Sequence, residues 1–202
     1  MTALTLPSWF IPSAFEFGLA RQTVQFRSPI SGRFQSVDLL SDYWSISVTL
    51  PPSAFADAGQ VEAFLNQLVG GTQSVLFYHL KRPTPVGTMR GSPMLASYAA
   101  QFANQISLSG AYTSSGGAAT LKAGDMIGLN GQLLQVKDDA AGASDGTMTV
   151  NLVNRLRSSI SAGAAITWDK PTAEFVSTET ASKFVHNVES LAETGFSFVE
   201  AV

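Results

Sequence analysis

The chain of 202 residues contains no cysteine and has two histidines. Without cysteine there is no disulfide framework, no thiol nucleophile and no thiolate ligand for a metal. Charged residues are also scarce: they make up 13% of the chain, about half of the roughly 25% that is usual in soluble domains. With 45% hydrophobic residues, this composition is typical of a protein that buries surface in an assembly.

The net charge of −3 gives no basic footprint for binding phosphates, and the Lys and Arg residues are scattered along the sequence. Tight nucleic-acid binding is therefore not expected. Six basic residues fall in turns or at strand ends, where they would be solvated or would contact the rim of a neighbouring subunit: Arg33, Lys81, Arg82, Arg90, Arg155 and Arg157.

The segment MTALTLPSWFIPSAFEFGL is apolar but has no basic leader, and prolines interrupt it at Pro7 and Pro12. Glu16 also falls before an apolar run of about 20 residues can form. We therefore expect neither a signal peptide nor a membrane span. Two destinations remain open for its aromatic side chains, the chain's own core or a neighbouring subunit: Trp9, Phe10, Phe15 and Phe17.

Three strands are predicted between residues 22 and 50: TVQF (23–26), GRFQSVDLL (32–40) and YWSISVTL (43–50). The intervening SPISG and SD have turn compositions, so an antiparallel meander is expected. In the third strand, large apolar residues alternate with Ser45, Ser47 and Thr49, which predicts one core face. The core face would consist of Trp44, Ile46, Val48 and Leu50, and Pro51-Pro52 would end the strand.

One helix is predicted over about 59–69, within VEAFLNQLVGG. Its apolar stripe has helical spacing (Val61, Phe64, Leu65 and Leu68), and Gly70-Gly71 supplies a left-handed stop. The segment SVLFYHL (74–80) is predicted to be a strand, and residues 81–93 a long loop.

The composition changes at residues 105–171, which are dominated by Gly, Ala, Ser and Thr. Asn130-Gly131 and Asp145-Gly146 favour tight turns, and five or so short strands predict a small β-barrel or sandwich. The segments AEFVS (173–177), KFVHNVE (183–189) and GFSFVEAV (195–202) return to the earlier style. The predicted fold is thus mainly β: a sandwich-like domain of residues 1–104 and 172–202 with one helix, and an inserted small β-barrel at 105–171.

The sequence offers no strong catalytic candidate. His79 and His186 both lie in strand-like patterns, and no G-x-S-x-G motif is present, so a structural role is expected for each histidine. Phosphate-binding glycine motifs are also absent. We therefore predict no enzyme activity, no cofactor, and no catalytic or cofactor-binding residue.

Two further patterns have both a functional and a structural interpretation. Asp138, Asp139 and Asp145 share a loop that could hold calcium, but their spacing does not match a helical calcium-binding loop, which favours a solvated turn. No metal site is predicted. Trp168-Asp169-Lys170 could stack on a sugar and bond to it, although a polar strand end accounts for the same residues.

The run SGRFQSVDLLSDYWSISVTLPP, then VEAFLNQLVGG and SVLFYHLKRPTPVGTMRG, resembles the distal tail and minor tail proteins of long-tailed, siphovirus-type bacteriophages. The segments LKAGDMIGLNGQLLQVKDD and GTMTVNLVNRLRSSISAGAAITW resemble the small β-barrel spliced into such proteins, and GFSFVEAV resembles their closing strand. The resemblance covers most of the chain. It consists of fold patterns rather than a chemical signature.

The resemblance implies a structural virion protein of the tail tip, or baseplate complex, made in the host cytoplasm. Its β-rich belt domain would form a ring, usually a hexamer, that contacts the tail tube and the baseplate hub or other tail-tip proteins. DNA would pass through the lumen without specific binding, and no membrane insertion is implied. The alternative is a host-glycan-binding module carried by the inserted β-barrel.

Overall fold

The computed structural model describes residues 3–201, without the side chain of Phe55. Met1, Thr2 and Val202, which fall in the predicted first domain, lie outside the described residues. The chain is 43% strand and 8% helix, which confirms the predicted mainly β class with one helix. Among the described residues, no helix is both long and apolar enough to cross a membrane.

The first strands of the chain are β1 (Leu4–Thr5), β2 (Ala14–Arg27), β3 (Phe34–Leu50) and β4 (Ser53–Ala54). Helix α1 (Phe55–Leu68) follows, and a 3-10 turn (Val69–Gly71) ends it. The remaining strands are β5 (Ser74–Phe77), β6 (Met94–Leu95), β7 (Gln105–Ser109), β8 (Thr120–Leu121), β9 (Met126–Leu129), β10 (Gln132–Gln135), β11 (Ala140–Ala141), β12 (Met148–Asn151), β13 (Ile166–Thr167), β14 (Ala173–Ser177), β15 (Ser190–Leu191) and β16 (Thr194–Glu200).

The chain divides into two compact units, and the first contains residues 1–19, 43–80 and 173–202. A six-stranded sheet has the order β1-β5-β14-β16-β3-β2. Strand β1 pairs with β5 in parallel, whereas β14 pairs antiparallel with β5 and β16, and β16 pairs antiparallel with β3. Strands from the two ends of the sequence thus complete one sheet, as the alternation in AEFVS and GFSFVEAV predicted.

The apolar face of the strand at 43–50 is buried as predicted. Trp44, Ile46, Val48 and Leu50 are between 1% and 4% exposed. Phe17 stacks on Trp44 with ring centroids 4.7 Å apart, and the backbone N–H of Trp44 donates to Glu200 Oε2 over 3.0 Å. The stacking on Phe17 holds the side chain of Trp44, and the hydrogen bond to the Glu200 carboxylate holds its backbone.

The aromatic residues of the N-terminal segment contact the chain's own core. The ring of Phe10 is 6% exposed and lies 5.8 Å from that of Phe77, while Trp9 meets Phe64 edge-on at 5.6 Å. The residues of α1 with the predicted helical spacing form its buried side: Val61, Phe64, Leu65 and Leu68 are all at most 9% exposed. The sequence left open whether this segment packs on the chain's own core or on a neighbouring subunit. In the structure, Trp9 and Phe10 pack on the chain's own core.

Three local predictions were wrong. Residues 41–42 are not a turn, because β3 continues from Phe34 to Leu50; Leu40 instead takes a positive φ of 59° while Asp38 Oδ1 accepts its N–H at 2.9 Å. Helix α1 begins at Phe55, four residues before the predicted start. The predicted strand at 183–189 is absent apart from a bridge between His186 and Leu191. The valine side chains of this segment are exposed, so no sheet face holds them.

The second unit contains residues 20–42 and 81–172, so it begins before the predicted boundary at 105 and includes part of the predicted meander. Its core joins side chains from several short two- and three-stranded sheets, among them Leu108, Ile127, Leu134 and Val150. No closed barrel is present among the described residues. The predicted Asn130-Gly131 turn is confirmed: φ is 50° and 76° at these residues, and Leu129 pairs with Gln132 across the hairpin.

A buried carboxylate fixes the loop that follows residue 80. Asp125 is 2% exposed, and its two oxygens accept the backbone N–H groups of Val86, Gly87 and Lys122 at 2.8, 3.1 and 2.7 Å. A Cβ atom on Gly87 would lie 2.2 Å from the carbonyl oxygen of Thr120. Only glycine fits there, because the backbones approach too closely for a side chain.

Removing the Trp44 side chain should destabilise the protein severely. We expect Trp44→Ala to lower the free energy of unfolding by about 3–5 kcal/mol, because it leaves a large cavity beneath Phe17. Urea unfolding followed by circular dichroism measures this change. Ser47→Ala, an exposed position in the same strand, is the control and should unfold like the wild type; an unchanged midpoint for Trp44→Ala would refute the core assignment.

Candidate assembly surface

The two histidines have separate structural surroundings. His79 is 8% exposed, and its ring lies 5.5 Å from Phe15 and 4.8 Å from Phe17. His186 places Nε2 3.1 Å from Glu62 Oε1, at the surface of α1. Each histidine therefore contacts a different set of groups in the first unit, and the structure does not bring the two together.

The acidic residues of the predicted turn are also bound to different partners. Asp139 accepts hydrogen bonds from Lys122 Nζ at 2.6 Å and from the N–H of Ala123 at 2.9 Å, and Asp145 accepts from both the hydroxyl and the N–H of Thr147. The Lys122 bond lowers the pKa of Asp139, and the Thr147 hydroxyl lowers the pKa of Asp145. No group of three or more potential metal ligands occurs among residues 3–201.

Trp168 holds the loop that precedes β6. Its Nε1–H donates to the carbonyl oxygen of Gly91 at 2.9 Å, and the guanidinium of Arg90 lies 5.1 Å from the ring centroid. Arg90 in turn donates to the carbonyl oxygens of Gly87 and Met89. The ring edge and one ring face are thus engaged within the second unit.

Within the second unit, the hairpin of residues 20–42 contacts residues 153–155 through polar side chains. Arg21 on β2 donates from Nη2 to the carbonyl oxygen of Val153 at 2.9 Å. Asp38 on β3 places Oδ2 3.5 Å from Arg155 Nη2. One side of each strand therefore faces residues 153–155.

The opposite side of the hairpin is apolar and exposed. Because side chains alternate along a strand, Val24 and Phe26 lie opposite Arg21, and Val37 and Leu39 lie opposite Asp38. These four side chains, which we call the outer strip, are 37%, 58%, 41% and 51% exposed in that order. Ile30 at the hairpin tip is 97% exposed. Because large apolar side chains exposed together are a feature of interaction surfaces, the outer strip is the candidate assembly surface of the second unit.

Sequence reasoning identified these strands but not the outer strip. The signal that could have found it is the alternation of Val24 and Phe26 with Thr23 and Gln25, which assigns an apolar side to β2. Alternation does not say whether that side is covered. No family model and no curated protein matches the chain.

The lowered pKa of Asp139 predicts a pH dependence of stability. Its carboxylate stabilises the fold fully above the ordinary value of 3.8, and this stabilisation is lost as the pH falls through the lower folded pKa. We expect Asp139→Asn to be less stable than wild type at pH 6 and to lose less stability on acidification, in thermal unfolding measured from pH 2 to 6. Lys122→Met removes the cation that lowers the pKa of Asp139, so its melting temperature should also depend less on pH. Melting temperatures that change with pH as in the wild type, for both variants, would contradict the role of this pair.

Proposed function

We propose that the chain is a structural protein of the phage tail tip that assembles with copies of itself into a ring. The observation that carries the proposal is the outer strip: Val24, Phe26, Val37 and Leu39 are exposed together on one side of the hairpin. Burying such side chains stabilises an interface by roughly 25 cal/mol per Å² of apolar surface. A second copy of the chain is the occupant that we propose.

Polar contacts on one side of the hairpin leave the outer strip exposed on the other side. Arg21 and Asp38 bind residues 153–155 from the other side of the strands, through contacts of 2.9 and 3.5 Å. The strip is therefore presented in one orientation before a partner arrives, which reduces the conformational entropy lost on association. In a ring, each copy would offer its strip to a different surface of the next copy, and repetition of that contact closes the assembly.

Composition supports a partner of the same kind. Only 13% of the residues are charged, so a second copy carries few charges that would be costly to bury against apolar side chains. The resemblance to distal tail proteins supplies the remaining parts of the proposal. The ring would join the tail tube to the baseplate hub, and a chain of net charge −3 suits a lumen that DNA must pass without adhering.

The oligomeric state of the purified chain tests the proposal. Size-exclusion chromatography with light scattering, followed by negative-stain microscopy, should give rings with a mass that is a multiple of 21.4 kDa. The double variant Phe26→Ser with Val37→Ser should be monomeric, because it removes half of the outer strip. Its melting temperature should stay close to that of the wild type, since both side chains are exposed.

The matched control is Gln25→Ser, which alters the other side of the same strand and should leave the rings intact. A wild-type chain that stays monomeric at high concentration, both alone and mixed with a tail-tube protein, would refute the ring. Rings formed equally well by the double variant would refute the role of the outer strip.

A further inference from the structure

A cleft in the second unit gathers basic side chains from distant parts of the sequence. Its volume is about 260 Å³, and its lining includes Arg21, Lys137 and Arg155. Arg21 lies more than a hundred residues before Lys137 and Arg155, so these charges look scattered in the sequence. We propose that this cleft binds the phosphate group of a small phosphate ester.

Arg21 is already oriented for an anion. Its Nε lies 3.7 Å from Asp42 Oδ1, and its Nη2 donates to the carbonyl oxygen of Val153 at 2.9 Å. Two fixed contacts set the plane of the guanidinium, and among the described residues Nη1 donates no hydrogen bond. An oxyanion in the cleft can accept from that remaining nitrogen without the side chain losing rotamer freedom on binding.

Lys137 supplies a cation that no carboxylate neutralises. Its side chain is exposed, and among residues 3–201 no carboxylate oxygen lies within 4.0 Å of its ammonium group. The neighbouring acids are engaged elsewhere: Asp138 accepts from Asn151 and Asp139 from Lys122. The backbone N–H of Lys137 donates to the carbonyl oxygen of Asn151 at 2.8 Å, which fixes the base of the side chain at the cleft.

Three cationic side chains line the cleft, against two carboxylates: Asp42 in the lining and Asp38 beside Arg155. The side chains of Arg21 and Arg155 are 47% and 35% exposed, whereas that of the one acidic residue in the lining, Asp42, is 7% exposed. Arg155 also lies 3.5 Å from Asp38 Oδ2, whose side chain is 34% exposed, so among the described residues Lys137 is the cation of the lining that has no carboxylate partner. Asn104 is also a lining residue, and its type carries an amide that can donate hydrogen bonds.

The number of donors favours phosphate over carboxylate. A carboxylate has two oxygens and is satisfied by a single guanidinium fork, whereas a phosphate monoester offers three free oxygens and up to two charges to three separate cations. The volume restricts what is attached to it, since about 260 Å³ lies below the roughly 300–1,000 Å³ of pockets for drug-sized ligands. A phosphate with a glycerol or one sugar fits this size.

Isothermal titration calorimetry of the full chain at low ionic strength tests the site with sn-glycerol 3-phosphate, glucose 6-phosphate, inorganic phosphate and acetate. We expect one phosphate ester per chain, an affinity that falls as salt is added, and acetate at least tenfold weaker. Lys137→Gln should weaken phosphate-ester binding about tenfold or more, because a charge-assisted hydrogen bond is lost. Lys81→Gln, an exposed lysine of the same unit outside the cleft, is the control and should bind like the wild type.

The arms of the titration distinguish the sources of phosphate. Tighter binding of either ester than of inorganic phosphate supports an ester ligand, and equal binding would overturn the ester in favour of the free ion. Unchanged affinity in Lys137→Gln, acetate binding as tight as phosphate, or no binding at millimolar ester would each overturn the site. Tighter binding of a DNA duplex than of the esters would also overturn it. The site can fail while rings still form, because the outer strip and the cleft are on opposite sides of the hairpin.

Discussion

The alternation of side chains along β3 is the constraint on which both proposed surfaces depend. Within residues 43–50 it places Trp44 and Ile46 in the core and leaves small hydroxyl groups on the other side. Within residues 34–39 it directs Asp38 towards Arg155 and leaves Val37 and Leu39 exposed. A shift of one residue would exchange the two sides. Between the two segments, Leu40 has a left-handed backbone and its N–H donates to Asp38 Oδ1.

Much of the fold could be predicted because its signals are local. The alternation of residues 43–50, the helical spacing after Val61, and the positive-φ turn at Asn130-Gly131 each depend on neighbours a few residues away. The errors came from patterns whose outcome depends on contacts with distant parts of the chain. Val185 and Val188 have strand propensity yet are exposed, and Ser41-Asp42 has a turn composition but continues a strand because pairing across the sheet outweighs propensity.

The candidate surfaces could not be predicted, since both arise from contacts between distant segments. Arg21, Lys137 and Arg155 converge only after the second unit folds, and no spacing in the sequence brings them together. The exposure of Phe26 depends on which side of its hairpin contacts residues 153–155. The buried Asp125 was missed for the same reason: two of the three N–H groups it accepts belong to residues 86 and 87.

The pairing of β3 with β16 has a consequence for biosynthesis. Thr194 lies opposite Leu50 and Phe175 opposite Val75, so the first unit's sheet joins strands that residues 81–172 separate in the sequence. On the ribosome, β3 and β5 emerge long before β14 and β16 exist to cover their edges, whereas the strands of residues 105–167 find partners within their own stretch. Such long loops close slowly and leave apolar edges open to aggregation. The inserted stretch can therefore fold first, and β14 and β16, which are synthesised after it, complete the sheet that β3 and β5 began.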